Sequence, residues 1–279
     1  MVRIVTDSAS DISVEEAKEL GVDVIALGIT FGDETFREGV DLSTEEFYKK
    51  LAESPQLPKT SQPSLEDFIP IYTEAKEAGD GVVVILLSSK LSGTCQTAMI
   101  AHELAGGDVY VVDSKSIALG ERILVDLAIK LRSQGLSAGE IAGKLNDAAG
   151  RIHFLALVDT LEYIYRGGRL SRTAKIAGTL LGFKPIISLE NGEVKIAGKE
   201  RGVKRGLVAI LNIMTELPSP VADMPLYFGF TETRDKCDML RKIVLEKFTG
   251  FSEHISSVGS AIGTHAGPGA CAVSFISEE

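Results

Sequence analysis

The sequence predicts an α/β fold in two units: an N-terminal α/β domain on a parallel sheet, residues 1–158, and a C-terminal α+β domain, residues 159–279. Three observations carry this expectation. Short β-branched runs alternate with helix-like stretches through the first half, the pattern of βαβ units around a parallel sheet. After about Asp159 the texture changes to hairpin and long-helix signals. At 279 residues the chain also exceeds the usual single core, which makes two units the better expectation.

Val2 to Thr6 reads as the first strand, followed by Val22 to Thr30, the very apolar Val82 to Leu87, Val109 to Val112 and Phe154 to Val158. Between them Ser13-x-x-Glu16, Ser43-x-x-Glu46 and Ser64-x-x-Asp67 each set a hydroxyl three residues before a carboxylate. Such a pair can satisfy the free N–H groups of a first helical turn, so each marks a helix start. Gly21 and Gly79 fall where the first and third of these helices would stop. In the second unit Asn191-Gly192 is a hairpin turn between Pro185 to Leu189 and Glu193 to Ala197. Helices are expected over Val203 to Leu217 and Arg234 to Lys247, and strands over Leu226 to Thr231, Ile255 to Ser260 and Ala270 to Ile276.

Composition narrows the function classes. With 44% hydrophobic and 24% charged residues the chain can bury a sizeable interior and stay in solution. A net charge of -10 repels a polyphosphate backbone, so nucleic acid is not an expected partner. Cys95, Cys237 and Cys271 lie far apart without a Cys-x-x-Cys pair, which predicts reduced thiols in a cytoplasmic protein. The start, Met1 to Asp7, turns acidic too soon for a secretory signal. The longest apolar run, Val82 to Leu87, is far short of the roughly 20 residues of a membrane span, so membrane contact is expected to be transient at most. No Gly-x-Gly-x-x-Gly follows the first strand, no P-loop occurs, and His102, His153, His254 and His265 are scattered; neither a nucleotide cofactor nor a metal is expected.

Four polar clusters fall at strand ends or in connecting loops, where open α/β sheets gather ligands. They are Thr6 to Ser8, Thr60 to Ser64, Ser88 to Thr94 and Gly263 to Gly269. Hydroxyls and free N–H groups at Ser92, Gly93 and Thr94 could hold an anion without burying a charge, or could simply cap the helix that follows. Thr60 and Ser61 precede Pro63, which favours an extended loop with side chains free to face a cleft or the surface. His265 sits among glycines that let a ligand come close, though a lone loop histidine is more often structural or merely exposed. Arg166, Arg169, Arg172 and Lys175, with Arg201 and Lys204 after the hairpin, form a candidate docking surface or a solvated face. An alternative is a serine-type acyl hydrolase or transferase with Ser92 as nucleophile, His265 as base and Asp7 or Asp113 as orienter. No Gly-x-Ser-x-Gly elbow surrounds Ser92, so only proximity in space would support it.

Together these stretches resemble the DegV family. Ile4 to Ser8, Lys59 to Ser64, Leu87 to Thr94, Val111 to Ser114, Arg166-Gly167-Gly168-Arg169-Leu170-Ser171, the Pro185 to Glu193 hairpin and Thr264 to Gly269 occur in the family's order over essentially the whole chain. The resemblance implies one long-chain fatty acid between the two domains, its tail in a buried apolar tunnel. Its carboxylate would be held by Thr60 or Ser61, by Ser92 and by His265, with Gly93 and Thr94 as neighbours. It further implies a carrier rather than an enzyme, with no cofactor of its own. The carrier would present the acid to a separate fatty acid kinase that makes an acyl phosphate for phospholipid synthesis.

Overall fold

The computed structural model describes residues 1–170 and 182–278. In chain order the elements are β1 (Val2–Asp7), α1 (Val14–Leu20), β2 (Val22–Ile25), β3 (Gly28–Phe31), β4 (Glu34–Arg37), α2 (Thr44–Glu53), β5 (Lys59–Ser61) and α3 (Leu65–Ala78). There follow β6 (Gly81–Leu86), α4 (Thr94–Ala105), β7 (Asp108–Asp113), α5 (Leu119–Ser133), α6 (Ala138–Ala149), β8 (Ile152–Leu157) and α7 (Glu162–Arg166). The remainder comprises β9 (Lys184–Glu190), β10 (Glu193–Glu200), α8 (Val203–Glu216), β11 (Leu226–Phe230), α9 (Asp235–Lys247), β12 (Glu253–Ser257), α10 (Ser260–Ala266) and β13 (Cys271–Ile276).

Local chemistry sets the ends of these elements. Glu46 N donates to Ser43 Oγ while Glu46 Oε2 accepts from Ser43 N, closing the start of α2. Asp67 accepts from Ser64 N and Oγ at α3, and Ser13 Oγ accepts from Glu16 N at α1. The β9–β10 turn puts Asn191 and Gly192 both at positive φ, 51° and 83°, as a tight hairpin requires.

The strands form three sheets. β2-β1-β6-β7 is a parallel four-stranded sheet, β10-β9-β8-β13-β11-β12 a mixed six-stranded sheet, and β4-β3-β5 a small antiparallel one. β6 is central to the first and buried on both faces. Its Val83 and Ile85 join the core around α5, and its Val82, Val84 and Leu86 pack on Phe68, Tyr72 and Ala98 of α3 and α4. α5 lies between the two large sheets, touching β1 and β6 on one side and β8, β11 and β13 on the other. α8 and α9 cover the far face of the six-stranded sheet with Leu207, Ile210 and Met214 and with Cys237, Leu240 and Val244, a helical spacing in each.

Three expectations change. Val22 to Thr30 is not one strand but β2 and β3, which enter different sheets. Phe154 to Val158, expected in the first, parallel unit, contains most of β8, which pairs antiparallel with β13 and β9 in the six-stranded sheet. A run buried on both faces has the same composition in either sheet, so periodicity could not assign it. Ile255 to Ser260 begins as β12 but ends in the first residue of α10, which also takes Thr264 and His265 out of the expected loop.

Candidate functional site

In the parallel sheet β2 and β6 flank β1 on opposite sides, so the chain reverses its winding direction between β1 and β6. Crevices of this kind open at the carboxyl ends of the strands. Here the Asp7 carboxylate bridges the reversal, accepting from Ala9 N (2.9 Å) and Leu87 N (3.0 Å). The turn after β6 folds back through Leu91 N and Ser92 N, both donating to Ser88 O, and delivers Ser92 and Gly93 to the crevice. Ser88 Oγ donates to Gly192 O (2.8 Å), docking the hairpin tip of the six-stranded sheet over the parallel one.

A cavity of about 320 Å³ occupies the cleft so formed. β5 brings Thr60 and Ser61 to it, the turn after β6 brings Leu91, Ser92 and Gly93, and α10 brings Ala261, Ile262, His265 and Ala266. Ile164 of α7, Ile187 of β9 and Val194 of β10 complete an apolar wall with Leu27, Leu87 and Ile117. A second cavity of about 30 Å³ shares Ile117, Ile187, Ile262 and Ala266 with the first and continues among Phe154, Ala156, Gly229, Phe230 and Ala272. The shared residues mark out an apolar path with one cavity on either side of them, from a rim where Ser61, Gln62 and Gly93 are exposed to an interior where Phe154 and Ala156 are buried.

At the rim Thr60 Oγ1 lies 3.0 Å from His265 Nε2, and Ser92 Oγ lies 2.8 Å from Thr94 Oγ1. Gln62 Nε2 donates to Thr97 Oγ1 (2.7 Å), and its side chain fills the space above Gly93, where a Cβ would come within 2.2 Å of Gln62 Oε1. Burial, and next the Arg169 guanidinium, push the His265 imidazolium down to about 4, so the ring is neutral near pH 7. Gly167 packs against that ring, for a Cβ there would lie 2.1 Å from His265 Nδ1. Gly267 likewise makes room for the Tyr163 ring, and the two glycines bring α7 and α10 together.

Thr60, Ser61, Ser92, Gly93 and His265, expected at the site, thus line one cavity, with Thr94 buried behind Ser92. Arg169, expected on a docking surface, is half-buried and lines the cavity. Gly168, at φ 72°, reverses the chain after α7, Arg169 N closes the helix on Ile164 O, and the guanidinium donates to Leu91 O (3.2 Å) and Gly167 O (2.7 Å). Among the described lining residues Arg169 alone carries a formal charge, and none is an Asp or Glu. Arg166 is exposed and paired with Glu162 at 2.7 Å, Arg201 is exposed with its guanidinium 5.0 Å from the Phe183 ring centroid, and Arg172 lies outside the described residues. The Arg-Gly-Gly-Arg spacing was a signal for the inward turn of Arg169, whereas Ile164, Ile187 and Val194 carry no mark in sequence that separates wall from core.

The alternative triad is not assembled. His265 pairs with Thr60 and Ser92 with Thr94. Asp7 spends both oxygens on backbone N–H groups, and Asp113 holds Ser89 and Lys115. Among the described residues no carboxylate orients His265, whose Nδ1 is buried without a partner.

A family model described as "Uncharacterised protein, DegV family" matches residues 1–278. A DegV domain-containing protein of Caldanaerobacter subterraneus subsp. tengcongensis is 37% identical over 278 residues, covering 98% of each chain. A DegV family protein of Thermus thermophilus, its solved structure described by fatty acid binding, superposes with a TM-score of 0.90 at 32% identity, covering 99% of each chain. The solved DegV of Bacillus subtilis, described as a fatty acid binding protein, gives a TM-score of 0.87 at 28% identity and again covers 99% of each chain. Motifs, fold and cleft therefore agree with full-length sequence similarity, and the chain belongs to the DegV family.

Proposed function

We propose that this protein binds one long-chain fatty acid, with the tail along the apolar path and the carboxylate among Thr60, Ser61, Ser92, Gly93, Thr94, His265 and Arg169. The single observation that carries the reading is the asymmetry of the path. Among the described lining residues one end gathers hydroxyls, a neutral imidazole and one guanidinium with no opposing carboxylate, and the rest is apolar but for Thr231 and the Cys271 thiol on the inner cavity. A tail of about fifteen methylenes gains up to ~12 kcal/mol on leaving water, at ~0.8 kcal/mol each, before association and ordering costs. Each hydrogen bond to the ionised head adds ~1.5–3 kcal/mol and decides orientation, since an acid group left unpaired among aliphatic side chains is strongly disfavoured. The fatty-acid-binding relatives in Thermus thermophilus and Bacillus subtilis support the same ligand class.

The protein then acts as a carrier without a cofactor of its own, presenting the carboxylate to a separate fatty acid kinase that supplies the phosphoryl donor for acyl-phosphate formation. The polar end of the path opens at exposed Ser61, Gln62 and Gly93, so a partner could reach the acid without extracting the tail. Arg166, paired with Glu162, and Arg201, over the Phe183 ring, are exposed cations on an acidic chain that such a partner could meet. Free, buried Cys95, Cys237 and Cys271 accord with a cytoplasmic setting, and no described helix is long and apolar enough to cross a membrane. Protein purified from a bacterial host should release close to one equivalent of fatty acid on organic extraction and mass spectrometry. Folded protein that carries no lipid, and takes up no palmitate when offered it, would falsify the reading.

A further inference from the structure

Helix α10 is seven residues long, and its two ends meet the first half of the chain differently. At its far end His265 Nε2 lies 3.0 Å from Thr60 Oγ1, the contact that closes the rim of the cavity. At its start Ser260 Oγ and Ala261 N donate to Glu38 Oε1 (2.9 and 2.7 Å), and the preceding Gly259 N donates to Asp11 Oδ1 (2.8 Å). Glu38 Oε2 in turn accepts from Ser8 Oγ (2.6 Å), whose oxygen accepts from the N–H of Leu27, a residue of the cavity wall. One carboxylate, 7% exposed, therefore ties the end of β1, the approach to β3 and the start of α10 into one unit.

Other contacts act beside this tie: Tyr48 Oη donates to Val258 O (3.0 Å) just before α10, and α7 packs against its far end at Gly167 and Gly267. Phe47 and Tyr48 press on it at Gly263, where a Cβ would meet Tyr48 Oη at 2.6 Å, and a face-on contact of this kind resists approach more than sliding. Beside the start of the helix lies a separate cavity of about 370 Å³, bordered by Glu38, Asp11, Ser256, Ser257 and Gly259. Without Glu38, the Ala261 N–H and the Ser260 hydroxyl lose their buried acceptor, and a shift of the helix into that space is the direct way to reach water. A short helix moves as a rod: His265 follows Ala261 at about 6 Å, at ~1.5 Å per residue.

We propose that Glu38 is a positioning residue for the head-group site, holding α10 so that His265 meets Thr60 and the site prefers a fatty acid to a neutral lipid of the same length. This rests on the fatty-acid reading above. The test compares palmitate with hexadecanol, each displacing a bound anilinonaphthalene sulfonate, on wild type, E38A and E38Q, with the carboxyl signal of bound [1-13C]palmitate as a second readout. E38A should bind palmitate about tenfold more weakly, the scale of one head-group hydrogen bond, with hexadecanol unchanged and the carboxyl signal moved. E38Q, which keeps one acceptor oxygen for Ala261 N, should fall between. Equal losses for both probes, or none for either, would make Glu38 a structural cap only and overturn the proposal. If E38A does not fold, E38Q decides alone by the same change, or lack of change, in acid preference. A wild-type protein that takes hexadecanol as well as palmitate would instead overturn the fatty-acid reading, and this inference with it.

Discussion

His265 is the residue whose chemistry depends most on its surroundings. Burial and then Arg169 lower it to about 4, against ~6.5 for a free imidazole. The unfolded chain therefore binds more protons than the native one across that interval, and stability from this ring is whole above ~6.5 and lost as pH falls toward the native value. The stability difference between wild type and H265Q, which has no ring to titrate, should shrink as pH is lowered through this window. Denaturation curves with a difference independent of pH would contradict the assignment. Asp7 runs the other way, raised to about 7 chiefly by burial, so its contribution weakens as pH rises through that value; the H265Q comparison cancels it.

At the scale of elements, close approach between helices decides whether the rim forms. Gly167 has ordinary helical angles, φ -70° and ψ -8°, so alanine there meets no backbone strain. The obstacle is space: a Cβ would fall 2.1 Å from His265 Nδ1 and 3.1 Å from Tyr163 O, and only the imidazole can move. G167A should therefore keep its circular dichroism and unfold within a few degrees of wild type, yet lose about tenfold in palmitate affinity as His265 leaves Thr60. Unchanged affinity would mean that His265 does not contribute from α10 in the way described.

Across the whole molecule the cations divide by position. Arg169 belongs to the cavity, while Arg166 and Arg201 face outward. Reversing the outward pair, R166E with R201E, should leave palmitate affinity within about twofold, because neither residue lines the path and exposed charges are strongly screened. Acyl-phosphate formation with a fatty acid kinase should fall in the same variant, whereas R169E should fail already at lipid uptake. Parallel losses in uptake and transfer for the outward pair would remove the docking face.

Local rules made much of this protein legible. The capping pairs at Ser43 and Ser64, the Asn191-Gly192 turn and the doubly buried Val82 to Leu86 run act within a few residues, and each gave the same element in three dimensions. Family motifs likewise pointed to Thr60 or Ser61, Ser92 and His265 as one group, and these residues line one cavity. What sequence left undecided depends on partners far along the chain. The sheet that β8 joins is chosen by β13 and β9, the direction of Arg169 by the turn at Gly168 against Leu91, and the seat of α10 by Glu38 across more than two hundred residues. Buried strands look alike until they are paired, and a charged side chain turns inward only where an acceptor already waits. Composition could settle that there is an oily interior, but only packing could settle which residues open it at one end.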